Sequence, residues 1–256
     1  MITQLEYNKI LTPIEAAHAA STTSDKYGFV STKNLLDQLG TLGFTPRKID
    51  VARVNKEERK GFQKHIVRLQ HRDLLPEINR ELPEIIIGNS HDGLSSTWLA
   101  LGLFRCVCTN GLVVGTSFEE YRFTHRKNNV DAITGAALQL AGQAPRLLDT
   151  IERFRSRQLT LPETASFVEE AAKLRYDKPT DESTYNDQWD WNKKTSYLNR
   201  PRRWDDKGQD LWLTFNRVQE NLTQGRAHSG IRRITSATKD VDINRNLWNL
   251  AESFLN

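Results

Sequence analysis

The sequence predicts an α+β fold, and three observations carry it. Apolar runs of strand length crowd residues 44–124, an Asn-Gly pair sits between two of them, and from Val130 the apolar period changes to threes and fours. Taken in order, Thr12 and Pro13 start a short helix. Ser31 opens another, with Leu35, Leu36 and Leu39 on one face and Gly40 and Gly43 as its end. Residues 44–54 read as extended and 55–61 as a charged connection, and 62–70 alternate as a strand with one wet, basic face. Residues 84–88 form a β-branched run that ends in the polar loop 89–93, which should surface at the end of the sheet. A second run, 101–107, a strand or a short helix, meets Thr109-Asn110-Gly111 and resumes at 112–114, a hairpin signal because Asn and Gly both tolerate positive φ. With 121–124 these runs make an antiparallel or mixed sheet of roughly four to six strands, with Phe104, Val107 and Leu112 expected in its core.

The second half reads as helices that cover this sheet. Val130, Ile133, Ala137, Leu140, Ala144, Leu147, Ile151 and Phe154 mark an amphipathic helix that Pro145 kinks or divides in two. Thr160 and Glu163 form a capping box for the next helix. Residues 176–204 lose all periodicity yet keep six aromatic rings, so they read as a long aromatic and basic loop that Trp204 or Trp212 pins to the core. A helix over 206–224 stops at Gly225, and Asp242 caps a final one. The expected organisation is one α+β domain over 1–256, sheet-rich in 1–125 and helical in 126–256.

Of the 256 residues, 38% are hydrophobic and 27% charged, and no apolar run reaches the length of about 18 residues that a membrane span needs. The first residues lack the basic and apolar regions of a signal peptide, which predicts a cytoplasmic protein. Cys106 and Cys108, two apart in a strand-like run, are expected as reduced thiols. The net charge of +4 is unevenly spread. Residues 47–72 hold nine Lys/Arg against three acids, and 200–233 hold eight against four, which makes these the candidate anion-facing surfaces.

The runs PEIIIGNSHDG and GLFRCVCTNGLVVG, the stretch Arg200-Pro201-Arg202-Arg203-Trp204-Asp205-Asp206-Lys207, Leu211-Trp212 and Arg217-Val218-Gln219-Glu220-Asn221 together resemble the phage and plasmid protein family catalogued as domain of unknown function nine hundred and thirty-two. The resemblance runs from about Tyr27 to the C-terminus and implies a setting in phages, prophages and plasmids.

Cations that track phosphates and rings on which bases stack, each stack contributing about 1–3 kcal/mol, are what single-stranded nucleic acid needs. Lys193, Lys194, Arg200, Arg202, Arg203, Arg226, Arg232 and Arg233, with Trp189 and Trp191, supply both types, and Lys64 and Arg68 extend the basic set. His91, Asp92 and His125 are the candidates for acid/base or nuclease chemistry, although an Asx-turn accounts for the 89–93 loop without any. Zinc-type spacing, a Walker motif, a dinucleotide fingerprint and HExxH are all missing, so no metal and no cofactor is expected. The expectation is a DNA-binding accessory protein of a mobile element, of single-strand binding or annealing type, forming homo-oligomers and meeting replication or host-defence proteins. The alternatives are a nuclease or nucleic-acid-modifying enzyme and a protein-binding inhibitor of a host defence system.

Overall fold

In the computed structural model, which describes residues 12–74, 81–105, 110–113, 115, 118–125 and 129–255, the chain folds as α+β in two compact units. One comprises Met1–Gly111 with Phe118–Ala144, the other Leu112–Ser117 with Pro145–Asn256. The strands and the late helices each close on a core of their own.

In the first unit Ser31 caps α1 (Thr32–Thr41), its hydroxyl accepting from the Asn34 amide at 3.3 Å. The strands β1 (Phe44–Val51), β2 (His65–His71), β3 (Glu81–Asn89), β4 (Thr97–Arg105) and β5 (Asn110–Val113) follow in spatial order, and β6 (Glu120–Phe123) also pairs with β4; Asn110 and Gly111, expected as a turn, are the first residues of β5. The β1–β2, β2–β3, β3–β4 and β4–β6 pairings are antiparallel. Register places Val67 opposite Ile87 and Ile87 opposite Leu99, and the same face carries Leu69, Ile85 and Leu101, all buried. Helix α1 packs on β1, and α2 (Val130–Gly142) on β3 and β4. Their Leu35, Leu39, Ile133, Ala137 and Leu140 are fully buried.

The opposite face of β2 and β3 differs from the expected wet, basic surface. Arg68 is 3% exposed and donates to Glu84 at 3.3 Å, and Arg47 donates to the same carboxylate while its guanidinium lies 3.6 Å from the centre of the Phe104 ring. Glu84 itself is 1% exposed, so both cations share one buried acid inside the sheet. Phe104 is only half-buried beneath Arg47. Val107 and the two cysteines lie outside the described residues, as does the Leu112 side chain.

The second unit holds α3 (Ala144–Ser156), α4 (Leu161–Lys173), α5 (Tyr185–Leu198), α6 (Leu211–Gln224) and α7 (Ala237–Ser253). Pro145 divides the expected long helix in two; it falls in the first turn of α3, where a missing N–H costs nothing. The core is aromatic: Trp212 stacks on Phe215 at 5.6 Å, and Trp248 meets Phe215 edge-on at 5.9 Å and Phe154 at 5.1 Å.

Three boundaries depart from expectation, the first being that of α6, which Asp210 caps and which therefore does not start at 206. The stretch 176–204 is not one loop, because Thr184 and Asp187 form a capping box that starts α5. Its apolar periodicity is weak since Tyr185 and Trp189 face solvent and only Trp191 and Leu198 are buried. Helix α7 starts at Ser236, whose hydroxyl accepts from the Lys239 amide at 3.4 Å, six residues before Asp242. Among the described residues no helix is long and apolar enough to cross a membrane.

Candidate nucleic-acid interface

Helix α6 positions the basic segment that precedes it. Apolar Leu211, Trp212, Phe215, Val218 and Leu222 are buried, and so are the polar Arg217, Gln219, Glu220 and Asn221. Each of these buried polar groups must be matched, because an unpaired one costs about 1–3 kcal/mol. Arg217 donates to the Asn199 side chain at 3.0 Å, to the carbonyls of Asp206 and Gly208 at 2.7 and 2.8 Å, and to Thr214 at 3.0 Å. Glu220 takes both Arg203 terminal nitrogens, at 2.7 and 2.6 Å, and Asp206 takes one of them at 3.1 Å. Asn221 donates to the carbonyls of Leu198 and Arg200, both at 2.9 Å, and accepts from Arg202 Nε at 2.9 Å. The irregular segment 199–208 is therefore tied to α6 along its length.

The end of α6 then turns sharply. Gly225 has φ +68°, and a Cβ there would stand 2.6 Å from both the Arg233 nitrogen and the Ile231 oxygen, so only glycine fits. The returning loop is closed by Arg226 N donating to the Ile231 carbonyl at 3.0 Å and Ser229 Oγ donating to the Arg226 carbonyl at 2.7 Å. Between loop and segment lies an open groove of about 550 Å³, lined by Arg202, Arg226 and Arg233 with Gln224, Gly225, Ala227 and Ile231. Among the described residues no carboxylate lines it. Burial pushes the Arg202 pKa down; Glu220 opposes the shift, and the guanidiniums of Arg226 and Arg203 add to it. A bound anion would relieve that crowding.

The other sequence candidates fall into place around this groove or away from it. Arg200 is exposed, with its guanidinium 3.9 Å from the centre of the Tyr197 ring, and its carbonyl accepts from Arg226 at 2.8 Å. Arg232 and Arg233 are exposed, and neither has a carboxylate partner among the described residues; the Arg232 carbonyl is held by Arg175 at 2.6 Å. Arg203 is committed to Glu220 and Asp206. On α5, Trp189 is 61% exposed, Trp191 is buried, Lys193 is half-exposed, and the ammonium of Lys194 pairs with Asp190. Lys64 and Arg68 belong to the first unit, the former half-buried and the latter buried. Sequence reasoning overlooked Trp204 as a surface ring: it is 78% exposed, with the Lys207 ammonium 3.8 Å above it, while Trp212 is the one anchored in the core. It also missed Arg175, Arg217, Glu220 and Asn221 as the groove's positioning residues. The one signal for these was a helix face carrying too many polar residues for its apolar neighbours.

His91, Asp92 and His125 do come together in the first unit, joined by His65, Thr32, Asn89 and Tyr27. Asn89 is saturated: it donates to the Val30 carbonyl at 3.2 Å and to Thr32 Oγ1 at 2.9 Å, and accepts from Ser90 N and Thr97 Oγ1, both at 2.9 Å. Proton accounting fixes the rest. His65 Nδ1 lies 3.0 Å from the Gln63 carbonyl and so carries its proton, which leaves Nε2 to accept from Thr32 Oγ1 at 2.8 Å. His91 Nε2, 3.3 Å away, donates to the same hydroxyl, and its buried Nδ1 has no hydrogen bond of ordinary geometry, although the Pro13 carbonyl weakly favours the charged ring. Burial holds His65 down at about 4 and His91 at about 3 and also lowers His125, so the rings are neutral at pH 7. Asp92 forms the Asx-turn, accepting from Leu94 N at 3.2 Å. His91 is 0% exposed, so the cluster faces the interior. Among the described residues no group of three His, Cys, Asp or Glu is arranged to hold a metal ion.

No solved structure matches the chain. Two curated proteins of Escherichia coli (strain K12) are similar over almost all of it: UPF0380 protein YafZ is 34% identical over 264 residues and UPF0380 protein YfjQ 32% identical over 262, each alignment covering 99% of this chain and 92% of the relative. A family model described as domain of unknown function (DUF932) matches residues 19–248, which include α6, the arginine groove and the histidine cluster. The chain therefore belongs to the DUF932 family.

Proposed function

We propose that the protein binds DNA through the second unit, as a single-strand binding or annealing accessory of a mobile element. The observation that carries this reading is the open groove lined by Arg202, Arg226 and Arg233 with no carboxylate among its lining residues. Guanidiniums recognise phosphate by planar, bidentate hydrogen bonds, and a neighbouring anion offsets their mutual repulsion. The exposed rings of Trp189 and Trp204 favour the single strand, whose unpaired bases can stack on them. The mobile-element setting comes from the resemblance of the motifs, several of which build the groove: Arg202 lines it, and Glu220 and Asn221 hold the segment beside it.

The test is fluorescence anisotropy with labelled single-stranded and duplex DNA across a salt series. Three phosphate contacts on a single strand give a slope of log affinity against log salt of about −2, from about 0.7 per contact. Arg226→Ala with Arg233→Ala should remove about 1.4 of that slope and weaken binding about tenfold at low salt. Affinity that ignores salt, or a double variant that binds like the parent, refutes the proposal.

A further inference from the structure

The loop that lines the arginine groove also touches a second cavity. A Cβ at Gly230 would stand 3.4 Å from Asp190 Oδ1 and 3.7 Å from Lys194 Cε, and both residues line a pocket of about 270 Å³ with Tyr176, Pro179, Ser183 and Trp191. That volume lies just under the range of about 300–1,000 Å³ usual for drug-sized ligands, which suits a single flat heterocycle. Its walls include two aromatic rings: Trp191 is buried, and the Tyr176 ring has the Lys194 ammonium 5.1 Å and the Arg175 guanidinium 5.3 Å from its centre.

The polar groups narrow the ligand further. The Tyr176 hydroxyl is buried and has no hydrogen-bond partner among the described residues, which costs stability. Burial raises the pKa of this phenol, against the opposing charge of Arg175, so it stays a neutral donor. Asp177, Asp187 and Asp190 line the pocket, against Lys178 and Lys194. Lys178 is paired with Glu169 and Lys194 with Asp190. The carboxylates repel phosphate and accept hydrogen bonds, whereas the groove beyond the loop does the reverse.

We infer that this cavity takes one base of a bound single strand, turned out of its stack, while the flanking phosphates lie in the arginine groove; the inference rests on the nucleic-acid reading above. The base sits against the Tyr176 and Trp191 rings, and the Tyr176 hydroxyl donates to a carbonyl or ring nitrogen on its edge. Neighbouring bases meet Trp189 and Trp204 outside.

Anisotropy with the full chain tests this, using an oligothymidylate and an abasic strand of equal length. The intact strand should bind more tightly by about tenfold or more, one stacked and hydrogen-bonded base alone being worth that much. Tyr176→Phe should shrink the difference several-fold with an unchanged melting temperature, because the lost hydroxyl has no protein partner. Ser183→Phe, which fills the cavity from its half-exposed rim, should shrink the difference about tenfold, to what stacking on Trp189 and Trp204 leaves, and keep the salt slope intact. Equal binding of both strands with steep salt dependence leaves the groove standing and overturns the cavity. A base preference that neither variant reduces also overturns it, because the outer tryptophans then account for all of it. If neither strand binds, the inference falls together with the nucleic-acid reading.

Discussion

Arg203→Ala separates the arginine that holds segment 199–208 on α6 from those that line the groove. Arg203 is 30% exposed in its side chain, but its partners are not: Glu220 is 7% and Asp206 1% exposed. Removing one member of a buried pair costs about 3–5 kcal/mol because the remaining charge loses its match. Water reaching the outer third of the guanidinium already screens part of that, so the expected loss is about 2–3 kcal/mol. In a unit of this size it lowers the melting temperature by about 5–10 °C. Urea unfolding followed by tryptophan fluorescence measures the loss, and Arg203→Ala with Glu220→Gln should be less destabilised than the sum of the single variants by about 1–2 kcal/mol, since the uncompensated charge is gone. The folded single variant should bind DNA within about twofold of the parent. A variant within about 0.5 kcal/mol of wild type that has nonetheless lost its DNA affinity would refute the reasoning and return Arg203 to the phosphate-binding set.

Two further outcomes concern the first unit. His65 and His91 have folded pKa values of about 4 and about 3, below the unfolded value near 6.5, so the stability they contribute is present above pH 6.5 and is lost as pH falls toward those values. Between pH 7 and 5 the loss should be roughly 2 kcal/mol for each ring, and urea midpoints that do not change over that interval refute a neutral buried cluster. Gly88→Ala places a Cβ 2.1 Å from Nε1 of the buried Trp98, and overpacking of this kind costs about 1–3 kcal/mol. Trp98→Phe should recover part of it, and a Gly88→Ala protein as stable as its parent shows that the ring moves aside freely.

How legible the molecule was in its sequence depended on whether a residue's fate was decided locally. The Pro145 break, the Thr160 cap and the Gly225 stop follow from short-range rules and stand where capping places them, whereas Asn110-Gly111, expected as a turn, lies in a strand. Helix α5 escaped notice because its signal is one capping box on a segment whose exposed face is aromatic. Arg68 could not be read at all, since the acid that buries it, Glu84, is sixteen positions away on the next strand. The histidine cluster was half-legible: His91, Asp92 and His125 stood out as polar residues at a sheet end, but their burial depends on Thr32 and Asn89 forming one hydrogen-bonded unit with His65.

Neighbouring arginines with opposite fates show what composition alone cannot express. Arg202 and Arg203 are indistinguishable in the charge count of 200–233, and both reach consecutive residues of α6. Arg203 meets a carboxylate whose two oxygens it occupies, so its charge is cancelled where it sits. Arg202 meets an amide: Asn221 fixes the guanidinium through Nε at 2.9 Å without neutralising it, and the nearest Glu220 oxygen, at 3.9 Å, is already engaged. An amide acceptor positions a cation and leaves its field intact, which is what an anion-binding groove needs and what a stabilising ion pair forgoes. The order Glu220-Asn221 on one turn of α6 thus decides which arginine holds the fold and which faces the groove.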